Sequence, residues 1–207
     1  LYTATLAMEA ETLQERLERQ GNHVLPIGLV LRLLTQLCAA VHHAHRHGIV
    51  HGNIQPSSVF LHNGEDALLT NFGMKRAYQD GEALAAHLEG GHPAYAAPEQ
   101  GLGIVHPASD IYALGVLIYY LLGGVLPYNG SSEEEIMLKH ASEPIPSLLA
   151  LRPSLPDAVE VVVRGALARV PEARFSSANA LAQALLEAFS TMGVQTVLTQ
   201  PERRVPV

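Results

Sequence analysis

The residues of this chain whose types could do chemistry are concentrated in two short segments, residues 51–58 (HGNIQPSS) and residues 71–73 (NFG). Neither segment contains a carboxylate or an amine. The Asn53 amide is not a useful proton acceptor near neutral pH, and Gln55 carries no charge. Asn71 would be a neutral ligand where a hard dication such as Mg²⁺ favours a carboxylate. These residue types argue against catalysis by a carboxylate base or a bound metal.

The two segments resemble the H-R-D-x-K-P-x-N and D-F-G motifs of the protein kinase family, with the reactive groups replaced. In that family the loop Asp accepts the substrate proton, the loop Lys steadies the phosphate, and an Asn and the second Asp bind metal ions. By resemblance these four positions are Asn53, Gln55, Ser58 and Asn71, and Gly52 stands where the loop Arg belongs. Ser58 is too short to reach the ion that the family's Asn binds. The combined losses imply a pseudokinase.

The resemblance covers nearly the whole chain. Residues 93–95 (PAY) and 97–99 (APE) fit the end of a kinase activation segment, and residues 109–115 (SDIYALG) fit the start of the large central helix. Later matches reach Arg174-Phe175. The chain is therefore similar to the C-terminal lobe of bacterial Ser/Thr kinases of the eukaryotic-like, or Hanks, type. The implied fold class is mainly α, in an α+β superfamily, with a small β-sheet at the cleft.

Structural roles also follow from the resemblance. Glu99 is expected to pair with Arg174, and His51 is expected to stack on Phe72 as part of an internal spine. Asp110 is expected to hold the backbone near His51. An Asp at the start of an apolar helix can also be a plain N-cap, and the two interpretations are compatible.

Phe60 falls, by resemblance, at the floor of the adenine pocket, where the family usually carries an aliphatic side chain. One hypothesis is that Phe60 crowds or fills the nucleotide site. The other is ordinary strand packing, because a core often absorbs one larger side chain. We expect no cofactor; ATP and Mg²⁺ would be needed only if phosphotransfer activity were retained.

The activation segment contains no Ser or Thr between Asn71 and Glu99, which leaves Tyr78 and Tyr95 as its only hydroxyls. His92 stands where, in the family, a Thr contacts the catalytic Asp and Lys. Phosphorylation works by adding a dianion that an Arg cluster can hold. Since both the acceptor and the loop Arg are missing, we expect the phosphorylation switch to be lost together with catalysis.

Periodicity and turn signals predict how the chain is organised. Residues 1–12 resemble a kinase hinge, residues 13–190 form the lobe, and residues 191–207 are expected to be a disordered tail or linker. No glycine-rich loop precedes the hinge, so the amino-terminal lobe is expected to be absent. The predicted helices are 12–20, 27–47, about 131–140, 156–170 and 177–189, and the predicted strands are 49–50, 59–61 and 67–70, with a turn at Asn63-Gly64.

The uncharged run from Ile111 to Pro127 has two interpretations. It could span a membrane, although that requires about 20 apolar residues and this run is interrupted by Gly123-Gly124. It could also be a core helix that is buried on all sides. The kinase resemblance predicts the core helix.

The histidines at 42, 43, 45, 47 and 51 could form a metal cluster, because His43 and His47 are spaced as a helical ligand pair. However, no carboxylate or thiolate joins them at metal-site spacing. His45 and His51 also match family positions, which favours structural roles.

Composition limits the function classes. The chain has 207 residues, 48% of them apolar, and a net charge of −7, which fits one domain and argues against a nucleic-acid partner. Cys38 is the single cysteine, so no disulfide framework is possible within the chain, and a buried thiol is expected. A cytoplasmic location is the simplest expectation, with a membrane tether beyond this chain as an open alternative.

The predicted function is that of a catalytically inactive kinase-like domain that acts by protein binding. Its partner would be an active kinase, a second copy of itself or a signalling substrate, with no nucleic acid and no membrane span within this chain. The alternative is a Ser/Thr kinase with residual or unorthodox activity. A gene remnant without function is a third interpretation, which the preserved apolar stripes count against.

Overall fold

The computed structural model describes residues 11–21, 24–72 and 92–190. In these ranges, helices surround a buried central helix, and a small antiparallel sheet lies beside them. The strands are β1 (Glu11–Thr12), β2 (Val59–His62) and β3 (Asp66–Leu69). The helices are α1 (Leu13–Gln20), α2 (Ile27–Arg46), α3 (Pro107–Gly123), α4 (Glu133–Ser142), α5 (Leu148–Leu151), α6 (Asp157–Ala166) and α7 (Ala178–Ser190), with 3₁₀ turns at Pro56–Ser58, Pro93–Tyr95, Pro98–Leu102 and Pro171–Ala173.

The predicted domain limits fall largely outside these ranges. Of the hinge-like residues 1–12, only β1 is described, and the predicted tail 191–207 lies outside the described residues. Residues 73–91 of the activation segment, which include Tyr78, also lie outside them.

The sheet has the order β1-β2-β3, and both pairings are antiparallel. In the register, Phe60 of β2 lies between Thr12 of β1 and Leu68 of β3. The β2–β3 connection contains Asn63 at φ 52° and Gly64 at φ 75°. Two consecutive positive φ angles are typical of a tight hairpin turn, so the predicted Asn-Gly hairpin is confirmed.

The predicted strand at residues 49–50 is wrong. The Ile49 N–H donates to the Ala44 carbonyl at 3.0 Å, as a continuation of the end of α2. The next two amides, of His51 and Gly52, donate to the Asp110 carboxylate. Because a helix end and a side chain take up these backbone donors, no strand ladder forms here.

α2 supplies one wall of the core. Its apolar residues at helical spacing form a buried stripe: Val30, Leu33, Leu34, Leu37, Val41 and Ala44. The helix packs mainly against α7, β3 and α3. Burial raises the pKa of the Cys38 thiol to about 12. In the described residues, α2 is also the one helix that is long and apolar enough by composition to cross a membrane. A core helix of a soluble domain passes the same test, and this stripe faces the core.

α3 is the central helix, and its side chains are buried on nearly every side from Ser109 to Leu122. This burial confirms the core-helix interpretation of the uncharged run. Gly115 allows α6 to approach closely, because a Cβ placed there would lie 2.8 Å from the Ala166 Cβ. Gly124, at φ 78°, ends the helix in the left-handed conformation that glycine adopts without strain.

Two predicted helix limits needed correction. The cap of α4 is Ser132, whose hydroxyl accepts from the Glu135 N–H at 3.2 Å, and not Ser131. α6 ends at Ala166, although periodicity extended it to Val170. The carbonyls of residues 168 and 169 accept hydrogen bonds from the Arg174 side chain, which draws the chain out of the helix.

Candidate functional site

The loop at residues 51–58 is anchored by Asp110, which lies fully buried in the first turn of α3. Its carboxylate accepts from the His51 N–H at 2.9 Å and from the Gly52 N–H at 2.7 Å. His45 Nε2 lies 2.7 Å from the same carboxylate. Gly52 has φ 75°, so the two amides converge on one acceptor through a turn that favours glycine. The structure thus brings Asp110 to the backbone it was predicted to hold.

His51 connects this loop to the end of β3. The Asn53 N–H donates to His51 Nδ1 at 3.2 Å, so the proton resides on Nε2, which donates to the Thr70 carbonyl at 2.8 Å. Burial lowers the pKa of His51, partly offset by the nearby Asp110 carboxylate. The His51 ring also meets the Phe72 ring edge-on, with centroids 4.8 Å apart. A neutral imidazole in this position ties the loop, the strand end and Phe72 together.

Ser58, at the metal-Asn position of the motif, is buried and occupied with its own turn. Its hydroxyl donates to the Gln55 carbonyl at 2.8 Å and accepts from the Gln55 N–H at 3.1 Å. These two bonds close the 3₁₀ turn that leads into β2. The hydroxyl therefore serves the backbone of the loop and is not presented as a metal ligand.

Gln55, at the loop-Lys position, links the loop to the chain that follows the activation segment. It is 6% exposed, and its side-chain Oε1 accepts from the His92 N–H at 2.9 Å. A Lys has no acceptor and could not make this bond. The residue at this position therefore acts here as a neutral backbone acceptor.

Asn53 and Asn71 occupy the positions of the two catalytic carboxylates. Asn53 is half-buried, and Asn71 is exposed. Asn71 has φ 66°, a left-handed conformation that Asn tolerates better than most residues. Both amides lack the negative charge that proton abstraction and Mg²⁺ binding use.

Phe60 lies on the face of the sheet opposite the core. Its neighbours Val59 and Leu61 point into the core and are buried, whereas Phe60 is half-buried and its cross-strand partner Leu68 is 40% exposed. This alternation places Phe60 and Leu68 together on the outer face of the sheet. Phe60 is thus not part of the buried core of the lobe.

Glu99 and Arg174 form a buried bidentate ion pair, with Nη1–Oε1 at 2.7 Å and Nη2–Oε2 at 2.8 Å. Ser109 donates a further hydrogen bond to Glu99 Oε1 at 2.8 Å. The guanidinium lies over the Tyr112 ring, 4.8 Å from its centroid. Burial alone would raise the pKa of Glu99, but the hydrogen bonds from Arg174 and Ser109 lower it below its ordinary value.

Three contacts around the site could not be predicted from the spacing of residues in the sequence. Gln100 Nε2 donates to the Gly52 carbonyl at 2.9 Å, while its Oε1 accepts from the Ala97 N–H. His45 contacts Asp110, as described above. The Tyr112 hydroxyl lies 2.7 Å from His140 Nδ1 inside the core, and burial lowers the pKa of His140 to about 4. The partners are far apart in the chain, and spacing could not have revealed them.

The histidines in α2 and in the residues that follow it make separate contacts. His47 Nδ1 contacts the His43 carbonyl at 2.8 Å and the two rings lie 4.4 Å apart, whereas His45 turns to Asp110 and His51 to Thr70. Among the described residues, no group of three or more His, Cys, Asp or Glu side chains could hold a metal ion.

The side chains at the four motif positions offer no charged group to a magnesium-bound nucleotide. The Ser58 hydroxyl is buried in its turn, the Gln55 amide oxygen is taken by a backbone N–H, and Asn71 offers no charge. What this arrangement can do chemically is to form neutral hydrogen bonds between loop segments. It offers no carboxylate base at Asn53 and no ammonium group at Gln55.

Comparisons with known proteins place this geometry in context. A family model described as the protein kinase domain matches residues 1–186. The probable serine/threonine-protein kinase PknB of Lactococcus lactis is 34% identical over 70% of this chain and 23% of its own length. The serine/threonine-protein kinase PrkC of Bacillus subtilis is 32% identical over 91% of this chain and 29% of its own length. The chain thus spans less than a third of the length of these curated relatives.

Among solved structures, the kinase domain of PknI from Mycobacterium tuberculosis matches with a TM-score of 0.70 and 29% identity. The match covers 89% of this chain and 64% of that domain. The helical lobe and its three-stranded sheet are therefore those of a partial kinase domain.

Proposed function

The chain belongs to the protein kinase family, resembling its bacterial Ser/Thr members, and from this premise we propose that it is a pseudokinase that acts by binding another protein. The fold provides the scaffold of a kinase lobe, and a fold does not by itself imply activity. The function therefore has to be argued from the residues at the centre.

The observation that carries the proposal is the engagement of Gln55 and Ser58. These side chains stand where the family has its phosphate-steadying Lys and its metal-binding Asn. Here both are buried and hydrogen-bonded to backbone, Gln55 to the His92 N–H and Ser58 to its own turn. With amides at positions 53 and 71 as well, base catalysis, charge neutralisation and metal binding all lack their groups.

Protein binding is supported by what the lobe retains. Asp110 anchors the loop, and the Glu99–Arg174 pair fixes the chain after the activation segment. A lobe held together in this way can dock an active kinase, a second copy of this chain or a substrate of another kinase. The net charge of −7 argues against a nucleic-acid partner. The proposed location is the cytoplasm.

The test is a phosphotransfer assay on the protein at its natural full length, with radiolabelled ATP and either Mg²⁺ or Mn²⁺. The expected result is no incorporation into the protein itself or into a general protein substrate above that of an Asn71→Ala variant. Incorporation that is abolished by Asn71→Ala would overturn the proposal, because it would show that the metal position still functions.

A second candidate function is residual phosphotransfer. The observation that favours it is the preserved frame of the centre, in which Asp110 accepts from the His51 N–H and the His51 ring contacts Phe72. Positioning alone contributes to the rate of a reaction between bound groups. The same assay separates the two candidates, because residual activity would depend on Asn71 and on the divalent ion.

A further inference from the structure

Two glutamines bridge the loop at 51–58 to the chain that follows the activation segment. The Gln55 side chain accepts from the His92 N–H at 2.9 Å, and the Gln100 side chain donates to the Gly52 carbonyl at 2.9 Å. Gln100 also accepts from the Ala97 N–H at 2.9 Å, which fixes the orientation of its amide. The bridges therefore reach the segment from 92 to 100 near both of its ends.

Between the bridges the segment is held by further contacts. His92 Nδ1 accepts from the Ala94 N–H and caps the 3₁₀ turn Pro93–Tyr95. The Tyr95 side chain is 7% exposed and meets the Tyr120 ring edge-on. Its burial raises the pKa of the hydroxyl and keeps it from solvent. Tyr95 is thus an internal anchor and not a surface hydroxyl open to modification.

None of these contacts involves a charge or a phosphate. The segment from 71 to 99 has no Ser or Thr, and Gly52 provides no guanidinium to hold a phosphate. A phosphorylation switch orders a segment by creating new charge-assisted hydrogen bonds. Here residues 92–97 are already held by neutral ones, and the charged pair at Glu99 involves no phosphate.

We propose that Gln55 is a positioning residue that holds residues 92–95 against the loop permanently, so that this surface takes its binding shape without any phosphorylation step. The inference rests on the proposed function, since it describes how the same surface is regulated. The specific requirement is the acceptor oxygen at position 55. A Lys there would leave the His92 N–H without this partner.

The first test needs no variant. In an isotopically labelled sample of the chain, NMR should detect a through-hydrogen-bond scalar coupling between the His92 amide nitrogen and the Gln55 side-chain carbonyl carbon. A coupling supports the bridge, and its absence under conditions where helical couplings in α3 are observed would overturn it.

The second test is amide hydrogen exchange at His92. Gln55→Met has a similar size but no amide oxygen, and it should speed exchange at His92 roughly 3- to 10-fold, as expected for one lost hydrogen bond. Gln55→Glu keeps an acceptor and should exchange like the unmodified chain. Gln183→Met, at an exposed position on α7, is the matched control. Exchange in the middle of α3 separates a local effect from general destabilisation.

The third test addresses phosphorylation. Treatment with a broad-specificity phosphatase should leave exchange at His92 unchanged. Faster exchange after this treatment would overturn the proposal, as would unchanged exchange in Gln55→Met. The coupling and exchange measurements require neither a partner nor ATP. Their failure would contradict the role proposed for Gln55, whereas phosphotransfer activity would contradict the pseudokinase function.

Discussion

The Arg174 guanidinium donates two hydrogen bonds to the Glu99 carboxylate, at 2.7 and 2.8 Å, across a sequence separation of 75 residues. The same guanidinium donates to the carbonyls of residues 108, 168 and 169. One side chain thereby joins the end of the activation segment, the start of α3 and the turn between α6 and α7. All of its donors have partners, which a buried charge requires.

Arg174→Ala is expected to destabilise the fold by about 3–5 kcal/mol, because it leaves the buried Glu99 carboxylate without its counter-charge. The free energy of unfolding, measured by urea denaturation, checks this value. Arg164→Ala is the matched control, since Arg164 also pairs with a glutamate, Glu160, but is 44% exposed. It should cost less than about 1 kcal/mol. Equal losses in the two variants would contradict the importance given to the buried pair.

Stability should fall as the pH is lowered from about 6.5 to about 4. Burial lowers the pKa of His140 from its ordinary value of 6.5 to about 4, with only a partial offset from the backbone of Ala94. In this interval the unfolded chain binds a proton at His140 and the folded chain does not, so acid favours unfolding by up to about 3 kcal/mol. Burial lowers the pKa of His51 in the same direction.

Denaturation curves recorded at several pH values check this slope. His140→Gln should flatten it, whatever its effect on stability at pH 8, whereas His62→Gln at an exposed strand position should not. The contribution of His140 is best measured above pH 4.5. Hydrogen bonds lower the pKa of Glu160 and Glu135 to about 2, so the loss of their contributions begins only below it. A slope unaffected by His140→Gln would refute the assignment.

Gly115→Ala is expected to destabilise the chain by roughly 1–3 kcal/mol, as over-packing in a core does. Its new methyl group would lie 2.8 Å from the Ala166 Cβ, and α3 and α6 would have to separate. Gly28→Ala in α2 is the control, because a Cβ there has open space. It should be neutral or stabilising by up to about 1 kcal/mol through helix propensity. Thermal unfolding followed by circular dichroism distinguishes the two.

Local sequence patterns predicted most helices and strands correctly. The elements they predicted wrongly are those whose limits depend on hydrogen bonds between residues far apart in the chain. The stripe from Val30 to Ala44 and the Asn63-Gly64 turn depend on residues close in sequence, which periodicity detects. The strand predicted at 49–50 failed because Asp110, from a distant helix, takes up the next amides. α6 was predicted too long for the same kind of reason, since Arg174 takes up the carbonyls beyond its end.

For the candidate site, too, the sequence predicted the positions of the residues but not their contacts. The order of the motifs located Asn53, Gln55, Ser58 and Asn71, but it indicated only that the family's catalytic and metal-binding groups are missing there. The structure adds what the replacements do, and this depends on geometry that spacing does not contain. Gln100 is the clearest example, because it follows the A-P-E motif and its side chain donates to the Gly52 carbonyl, 48 residues away in the chain.

ATP with Mg²⁺ at millimolar concentration is expected to leave the melting temperature of the chain unchanged. The metal positions carry Ser58 and Asn71, and Phe60 lies on the outer face of the sheet and stands, by resemblance, at the floor of the family's adenine pocket. A ligand present at 100 times its Kd adds about 2.7 kcal/mol to stability. For a domain of this size that would raise the melting temperature by about 5–10 °C, so a micromolar site would be evident.

Phe60→Val tests whether the aromatic ring itself fills the site. If it does, adenosine should stabilise this variant and not the unmodified chain, and Mg²⁺ should add nothing because its ligands are missing. Leu68→Val is the matched control, since Leu68 is the cross-strand partner of Phe60 on the same face. Stabilisation of both variants would indicate a general loosening of the sheet. Micromolar binding of ATP by the unmodified chain would exclude occlusion by Phe60, and dependence of that binding on Mg²⁺ would restore Asn71 as a metal ligand.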